Sequence, residues 1–272
     1  MTSRDQAKTV SALSLYERMG ERTTQPFALQ VLDRLMPLEG LSIIDIAAGT
    51  GGLAVAAAER GAQVMAADIN PAMIERTRER LQRFGSCRAE IMDFRRLTVA
   101  DDAFDVAVSS FGILAYPTWQ EGLREMLRTT RPGGRIALVM WTQRHDCSPA
   151  HLMKRVFQEL FPGRTPWPDD FFPVFSEENL VSALTSAGCS DVSVEVASAD
   201  WSPYSSKDVV NECDPMFRGF SGYAALTQSE VERLRPSLES AFYTYKQEDG
   251  IIRLPTKGFL VIGRKSLLRS GK

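Results

Sequence analysis

Residues 43–52 read Ile-Ile-Asp-Ile-Ala-Ala-Gly-Thr-Gly-Gly, a short apolar run passing directly into glycines. The Ala-rich stretch 51–60 behind it has a helical pattern, so the segment reads as strand, tight turn, helix. Such a turn needs left-handed backbone, which glycine adopts without steric cost, and glycine also lets a ligand approach the main chain. The first N–H groups of the helix have no intrahelical acceptor and sit at the positive end of its dipole. Gly49-Thr50-Gly51-Gly52-Leu53-Ala54 fits the GxGxxA spacing of dinucleotide turns, although the same spacing also serves a purely structural turn. Asp68 stands 19 residues after Gly49, at the end of the second strand pattern. A carboxylate there accepts both hydroxyls of a ribose and repels a 2′-phosphate, which disfavours an NADP-type ligand. Asp68 would also suit the cap of the helix that starts at Pro71, but Asn70 can take that role instead.

Around this turn, strand and helix patterns alternate. Ala28, Val31, Leu32 and Leu35 follow helical spacing and end near Pro37 and Gly40. Strands are expected at 41–46, 63–67, 87–91, 104–109 and 135–141, and helices at 51–60, 71–84 and 119–130. Strands separated by helices imply βαβ units, and their unbroken apolar character suits a parallel sheet covered on both faces. The alternation stops at 144–175, a stretch rich in proline and aromatic residues. A helix at 176–187 capped by Ser176 and a strand at 192–196 follow. Residues 200–248 are helical and loop-rich, and 259–264 form a last strand.

Composition removes several classes. Of 272 residues, 44% are hydrophobic and 24% charged, so the chain is globular rather than disordered. Thirty-two basic against 34 acidic residues leave no surplus for a general nucleic-acid binder. No apolar run approaches a membrane span, and residues 1–9 are too polar for a secretory signal. Cys87, Cys147, Cys189 and Cys213 are far apart with no CxxC pair, so no metal site is expected and a cytoplasmic location is. The arginines at 76, 78, 80 and 83, interleaved with Glu75 and Glu79, read as a solvated helix face.

Further short motifs complete the set. Asp93-Phe94 follows the third strand, Phe104-Asp105-Val106-Ala107-Val108 forms the fourth, and Arg131-Pro132-Gly133-Gly134 precedes the fifth. In this order they resemble the class I S-adenosylmethionine-dependent methyltransferases, and in particular the methyltransferase type 11 group that includes the ubiquinone/menaquinone-biosynthesis enzymes. Members of that family read roughly V-L-D-L-G-C-G-T-G, an acid ending strand two, D-x-x-x-L-P, F-D-x-V and L-x-P-G-G. The resemblance spans 43–141, and from Phe175 onward it is loose. Ala47 stands in place of the first glycine, Leu97-Thr98 in place of Leu-Pro, and Thr130 in place of the last leucine.

The resemblance implies a Rossmann-like, doubly wound α/β fold with seven strands, mostly parallel, the last antiparallel, and a helical cap. It divides the chain into an N-terminal helical segment at 1–40 closing over the cofactor, a binding core at 41–143, cap insertions at 144–175 and 200–248, and remaining core elements at 176–199 and 249–265. The implied cofactor is S-adenosylmethionine, with S-adenosylhomocysteine as product. Asp45, Ala47, Ala48, Gly49, Thr50 and Gly51 would wrap its methionine and ribose portion, and Asp68 would take the ribose hydroxyls. Ile69 and Met73 would flank the adenine, Asp93 would accept from its amino group, and the Phe94 N–H would meet a ring nitrogen. Ser109 and Ser110 would hold the ammonium group through backbone carbonyl contact, and Tyr16 would close over the carboxylate.

The methyl acceptor is expected to be a small apolar or aromatic metabolite. Aromatics in 144–175 and 200–225, among them Trp167, Phe172, Trp201, Phe217 and Tyr223, either cap it or form a satellite core. An oxygen or carbon acceptor must lose a proton, and His145, just past the fifth strand with Asp146 beside it, is the candidate base. A monomer or homodimer is expected, without nucleic-acid or membrane partners. Two other readings stay open: an NAD-binding oxidoreductase, which has no need of Pro132-Gly133-Gly134, and a non-catalytic cofactor-binding module.

Overall fold

The computed structural model describes residues 13–142 and 147–267. A π-helical turn, Tyr16–Glu21, runs into α1 (Arg22–Arg34), and then strands and helices alternate. They are β1 (Ser42–Ile46), α2 (Gly52–Glu59), β2 (Gln63–Asp68), α3 (Pro71–Leu81), β3 (Arg88–Ile91), β4 (Phe104–Ser110), α4 (Trp119–Thr129) and β5 (Thr130–Trp141). α5 (Pro149–Leu160), α6 (Glu177–Ser186), β6 (Cys189–Trp201), α7 (Val209–Phe217), α8 (Ser221–Ala224), α9 (Gln228–Tyr243) and β7 (Leu254–Lys265) complete the described chain.

The seven strands form one sheet in the order β3-β2-β1-β4-β5-β7-β6. β1 pairs in parallel with β2 and β4, β2 with β3, and β4 with β5, while β7 and β6 are antiparallel. This is the expected doubly wound sheet. The order reverses at β1, whose neighbours are β2 and β4. Open α/β sheets bind ligands outside the carboxyl ends of the strands at such a reversal.

Burial follows from the strand sequences. Ile43, Ile44 and Ile46 of β1 and Val106, Ala107 and Val108 of β4 are fully buried, as expected for strands covered on both faces. On one face, Ile44, Met65, Ala107, Ile136 and Leu138 pack with Leu123, Met126 and Leu127 of α4 and Leu180 and Leu184 of α6. α1 buries Phe27, Ala28, Val31 and Leu32, with Leu35 behind them, and burying each large side chain stabilises by about 1.5–3 kcal/mol.

Several elements run beyond their expected limits, and others stop short of them. α3 ends at Leu81, three residues early. β5 begins at Thr130, but its register jumps from Phe104↔Thr130 to Val106↔Arg135, so the Pro-Gly-Gly segment is a bulge and regular pairing starts at Arg135. β6 and β7 are 13 and 12 residues long, well beyond their apolar centres. The Pro- and aromatic-rich segment after β5 contains α5, opened by Ser148, whose hydroxyl accepts from the His151 N–H.

The chain divides into two compact units. The first takes in the described residues through Met140, Phe175–Ala197 and those from Phe259, and the second takes in those of Trp141–Val174 and Ser198–Gly258. Within the second, α5, α7 and α9 enclose Trp167, Trp201, Phe217 and Tyr223, each at most 4% exposed. These aromatics are therefore the core of their own unit. Phe171 and Tyr204 are the exposed members, at 50% and 63%.

Candidate functional site

The turn after β1 holds three consecutive odd positions in left-handed backbone: Ala47 (φ +58°), Gly49 (+56°) and Gly51 (+83°). The conformation costs glycine nothing and an alanine roughly 1–2 kcal/mol, so Ala47 carries local strain. The chain holds it there from both sides. The Ala48 N–H donates to Ala67 O at 3.0 Å, and the Ala47 methyl lies against Gly112, where any side chain would meet it at 2.7 Å.

Asp68 closes the turn from the end of β2. Its Oδ2 accepts from the Gly49 N–H and its Oδ1 from the Asn70 N–H, both at 2.9 Å. Asn70 in turn caps α3 by accepting from Ala72 N at 3.0 Å, so Asp68 and Asn70 divide the work as the sequence suggested. Asp68 borders a cleft of about 260 Å³, with Ile69, Asp93, Phe94, Arg95 and Tyr116 around it. Ile69 is 61% exposed and Tyr116 52%, two apolar surfaces at the mouth with little protein packed on them. Phe94 and Tyr116 stack at 5.5 Å. Asp93 is held in a two-point ion pair by Arg95, which keeps its carboxyl below the usual carboxylate range. Met73 does not border the cleft. It is half-buried on α3, and its carbonyl accepts from the Thr77 hydroxyl.

On the other side of Ala47 lies a smaller, polar cleft bordered by Tyr16, Glu21, Gln25, Asp45, Ala48 and Ser110. Asp45 is 1% exposed, and its Oδ2 has no hydrogen-bond partner, nor does the buried Ser110 hydroxyl. Burial, with Asp68 and Glu21 nearby, pushes the Asp45 carboxyl up to about 7. Buried polar atoms are almost always paired, so two unpaired acceptors at one cleft mark a place for a hydrogen-bond donor. Ser109, by contrast, is fully used. Its hydroxyl donates to Ile46 O at 2.7 Å and accepts from Ile113 N at 3.1 Å, fastening β4 to the end of β1.

The segment before α1 covers the turn. The Tyr16 hydroxyl points at Gly49, where a Cβ would lie 2.5 Å from it. Burial, then the carboxylates of Glu21, Asp68 and Asp45, keep this phenol protonated far above its ordinary range. Thr50 is buried, and its hydroxyl donates to Glu21, so its side chain faces the covering segment. Gly51 leaves room for Thr77, whose methyl would be 2.6 Å from a Cβ there.

Two ion pairs hold this cover down: Glu17–Arg76 and Glu21–Arg80, both at 2.7 Å, with Arg80 also donating to Thr50 O at 2.9 Å. Arg78 donates to Ala89 O, and Arg83 pairs with Glu59. Arg76 and Arg80 are thus fasteners of the cover, while Arg78 and Arg83 remain on the exposed face that was expected. The expectation failed for the first two because their acids lie 59 residues away in sequence. The spacing did carry a signal: Glu17 and Glu21 are four apart, as are Arg76 and Arg80, which presents matching stripes on two helices. Gln25, Arg95 and Tyr116 are further site residues that the sequence reading missed. Asp105 of the Phe-Asp-x-Val motif accepts from Ser42 N and Oγ, joining the starts of β1 and β4 away from the clefts. His145 lies outside the described residues. Among the described residues, no helix is long and apolar enough to cross a membrane.

Comparison with known proteins gives a concordant answer. Residues 43–134 match a family model described as a methyltransferase domain. An uncharacterized protein of Mycobacterium tuberculosis, Rv1405c, is 31% identical over 132 residues, 48% of each chain. A demethylmenaquinone methyltransferase of Clavibacter sepedonicus is 42% identical over 104 residues, covering 38% of this chain and 42% of that one. The chain thus spans about half the length of the curated relatives it matches. Among solved structures, the YcgJ protein of Bacillus subtilis superposes with a TM-score of 0.59 at 17% identity, over 88% of this chain and 98% of that one. That likeness extends the shared fold beyond the matched segment.

Proposed function

With residues 43–134 identified as a class I S-adenosylmethionine-dependent methyltransferase domain, we propose that the protein transfers a methyl group from S-adenosylmethionine to a small apolar or aromatic metabolite. The observation that carries this reading is the pair of clefts meeting at Ala47. One is apolar-walled with carboxylates at Asp68 and Asp93, and the other holds the unpaired acceptors of Asp45 and Ser110. A nucleoside with two ribose hydroxyls and an amino group suits the first, and a cationic amino-acid end suits the second.

The chain's own residues then have separable tasks. Asp68 receives the ribose hydroxyls while keeping the Gly49 N–H in place. Ile69 and Tyr116 supply apolar surface for the base, and Asp93 accepts from its amino group. Asp45 offers an anionic acceptor, with Ser110 beside it at the same cleft, to an ammonium group. Tyr16 withdraws from Gly49 to admit the ligand and closes on it, with Glu21 and Arg80 as the hinge side of the cover. When bound, the cofactor would supply an activated methyl group for direct transfer to the acceptor, with its sulfur as the leaving atom. Catalysis by the protein is then chiefly positioning and exclusion of water. His145 is the proposed base for an acceptor that must lose a proton, and a cytoplasmic location accords with four cysteines that stand outside any disulfide.

The test is turnover of methyl-labelled S-adenosylmethionine against a panel of quinol, phenol and amine acceptors, reading labelled product and S-adenosylhomocysteine together. Product with one acceptor class supports the reading. Cofactor binding without turnover on any member would favour a non-catalytic module.

A further inference from the structure

The Asp93–Arg95 pair sits in a tight turn at the larger cleft. Arg95 Nε lies 3.0 Å from both Asp93 oxygens, Nη2 lies 2.5 Å from Oδ2, and the Arg95 backbone N–H donates to Oδ1 at 2.9 Å. The Arg96 N–H closes the same turn onto Asp93 O at 2.9 Å. Asp93 and Arg95 both border the cleft with Phe94 between them. A carboxylate offers roughly four lone-pair positions, and three donors already occupy it, the Nε–H shared between the oxygens. Each oxygen takes two of these contacts, so what Asp93 presents to the cleft is acceptor character alone.

Resting on the cofactor reading above, we propose that Arg95 is a positioning residue that sets base specificity: by fixing Asp93 as a committed acceptor at the cleft, it makes the site select a purine with a 6-amino group over one with a 6-oxo group. A 6-oxo group brings an acceptor against a carboxylate and leaves both unpaired. Sites built to hydrogen-bond a ligand group reject the analogue lacking it far more strongly than apolar pockets reject a missing methylene. An ionised Asp93 has no proton to donate to the oxo group, and the guanidinium beside it favours that ionised form further. Without the fork, Asp93 keeps its charge at neutral pH but loses its fixed orientation.

Calorimetry on the full chain with S-adenosylhomocysteine and S-inosylhomocysteine tests this, in the wild type and in the Arg95→Met and Arg95→Lys variants. The wild type should prefer the adenine ligand by more than about tenfold, the scale of one hydrogen bond to a charged group. Arg95→Met should narrow that preference at least threefold, and Arg95→Lys should restore part of it, with melting temperatures close to wild type. Should Arg95→Met not fold, Arg95→Lys alone carries the test, since a point charge cannot reproduce the fork and must also narrow the ratio. An unchanged ratio in the variants, or a wild type indifferent to the base, would overturn the proposal while leaving the cofactor reading intact. Absence of S-adenosylhomocysteine binding to the wild type would overturn both.

Discussion

The Gly49 N–H donates to Asp68 Oδ2 at 2.9 Å, so the glycine turn and the carboxyl end of β2 form one hydrogen-bonded unit. The acid that would take the ribose hydroxyls is therefore also the acid that shapes the turn. Its second oxygen, on the Asn70 N–H, ties in the start of α3. Function and local structure are linked through this one carboxylate, and substitution should disturb both in measurable proportion.

Asp68→Ala removes two ligand bonds worth about 1.5–3 kcal/mol each, so affinity for S-adenosylmethionine should fall well over tenfold. It also releases the N–H groups of buried Gly49 and exposed Asn70, so the melting temperature should drop by several degrees, consistent with about 1–3 kcal/mol in a chain of this size. Calorimetry and thermal melts on one preparation separate the two effects. Unchanged affinity would remove Asp68 from the ligand.

Gly49→Val adds a β-branched side chain at φ +56° and places its Cβ 2.5 Å from the Tyr16 hydroxyl. The cover must lift and the turn must distort. Binding should be lost at temperatures where circular dichroism still reports a folded chain. Normal binding would mean that the turn is only structural.

Asp45 gives a pH signature. Its folded-state value of about 7 lies above the ordinary value near 4, so between those pH values the folded chain holds more protons than the unfolded one. Its contribution to stability therefore falls as pH rises through this window. Asp45→Asn should melt higher than wild type at pH 8 and differ little at pH 5. Ligand binding should respond in the opposite sense. A cationic group beside Asp45 favours its ionised form, so wild-type affinity should rise from pH 5.5 to 8 with proton release, detectable as a dependence of binding heat on buffer ionisation. In Asp45→Asn that release should be absent, and a release equal to wild type would exclude Asp45 as its source.

His145→Asn should cut turnover roughly a hundredfold or more, the scale of a lost general base, with cofactor affinity unchanged. Near-normal turnover would remove His145 and leave catalysis by positioning alone.

What the sequence made legible was local. The run from Ile43 to Gly52 forms strand, left-handed turn and helix because each step depends on neighbours within a few residues. The Ser176 and Asn70 caps are likewise set by the two or three residues after them. The reading fell short where the deciding partner is distant. Arg80 reads as a surface residue until Glu21 is placed beside it. β6 and β7 outran their apolar centres because they continue through polar residues, such as Glu195 and Lys257, that leave no hydrophobic signature. Asp93 was placed correctly after β3, yet nothing in its local pattern announced the grip of Arg95.

The central claim is that the two clefts at Ala47 form an S-adenosylmethionine site. The most direct measurement is calorimetric titration of S-adenosylhomocysteine into the wild-type chain, repeated with NAD as competitor. One saturable site per chain, indifferent to NAD and lost with Gly49→Val, is the expected result. Absence of saturable binding, or an NAD site that S-adenosylhomocysteine cannot displace, would contradict it.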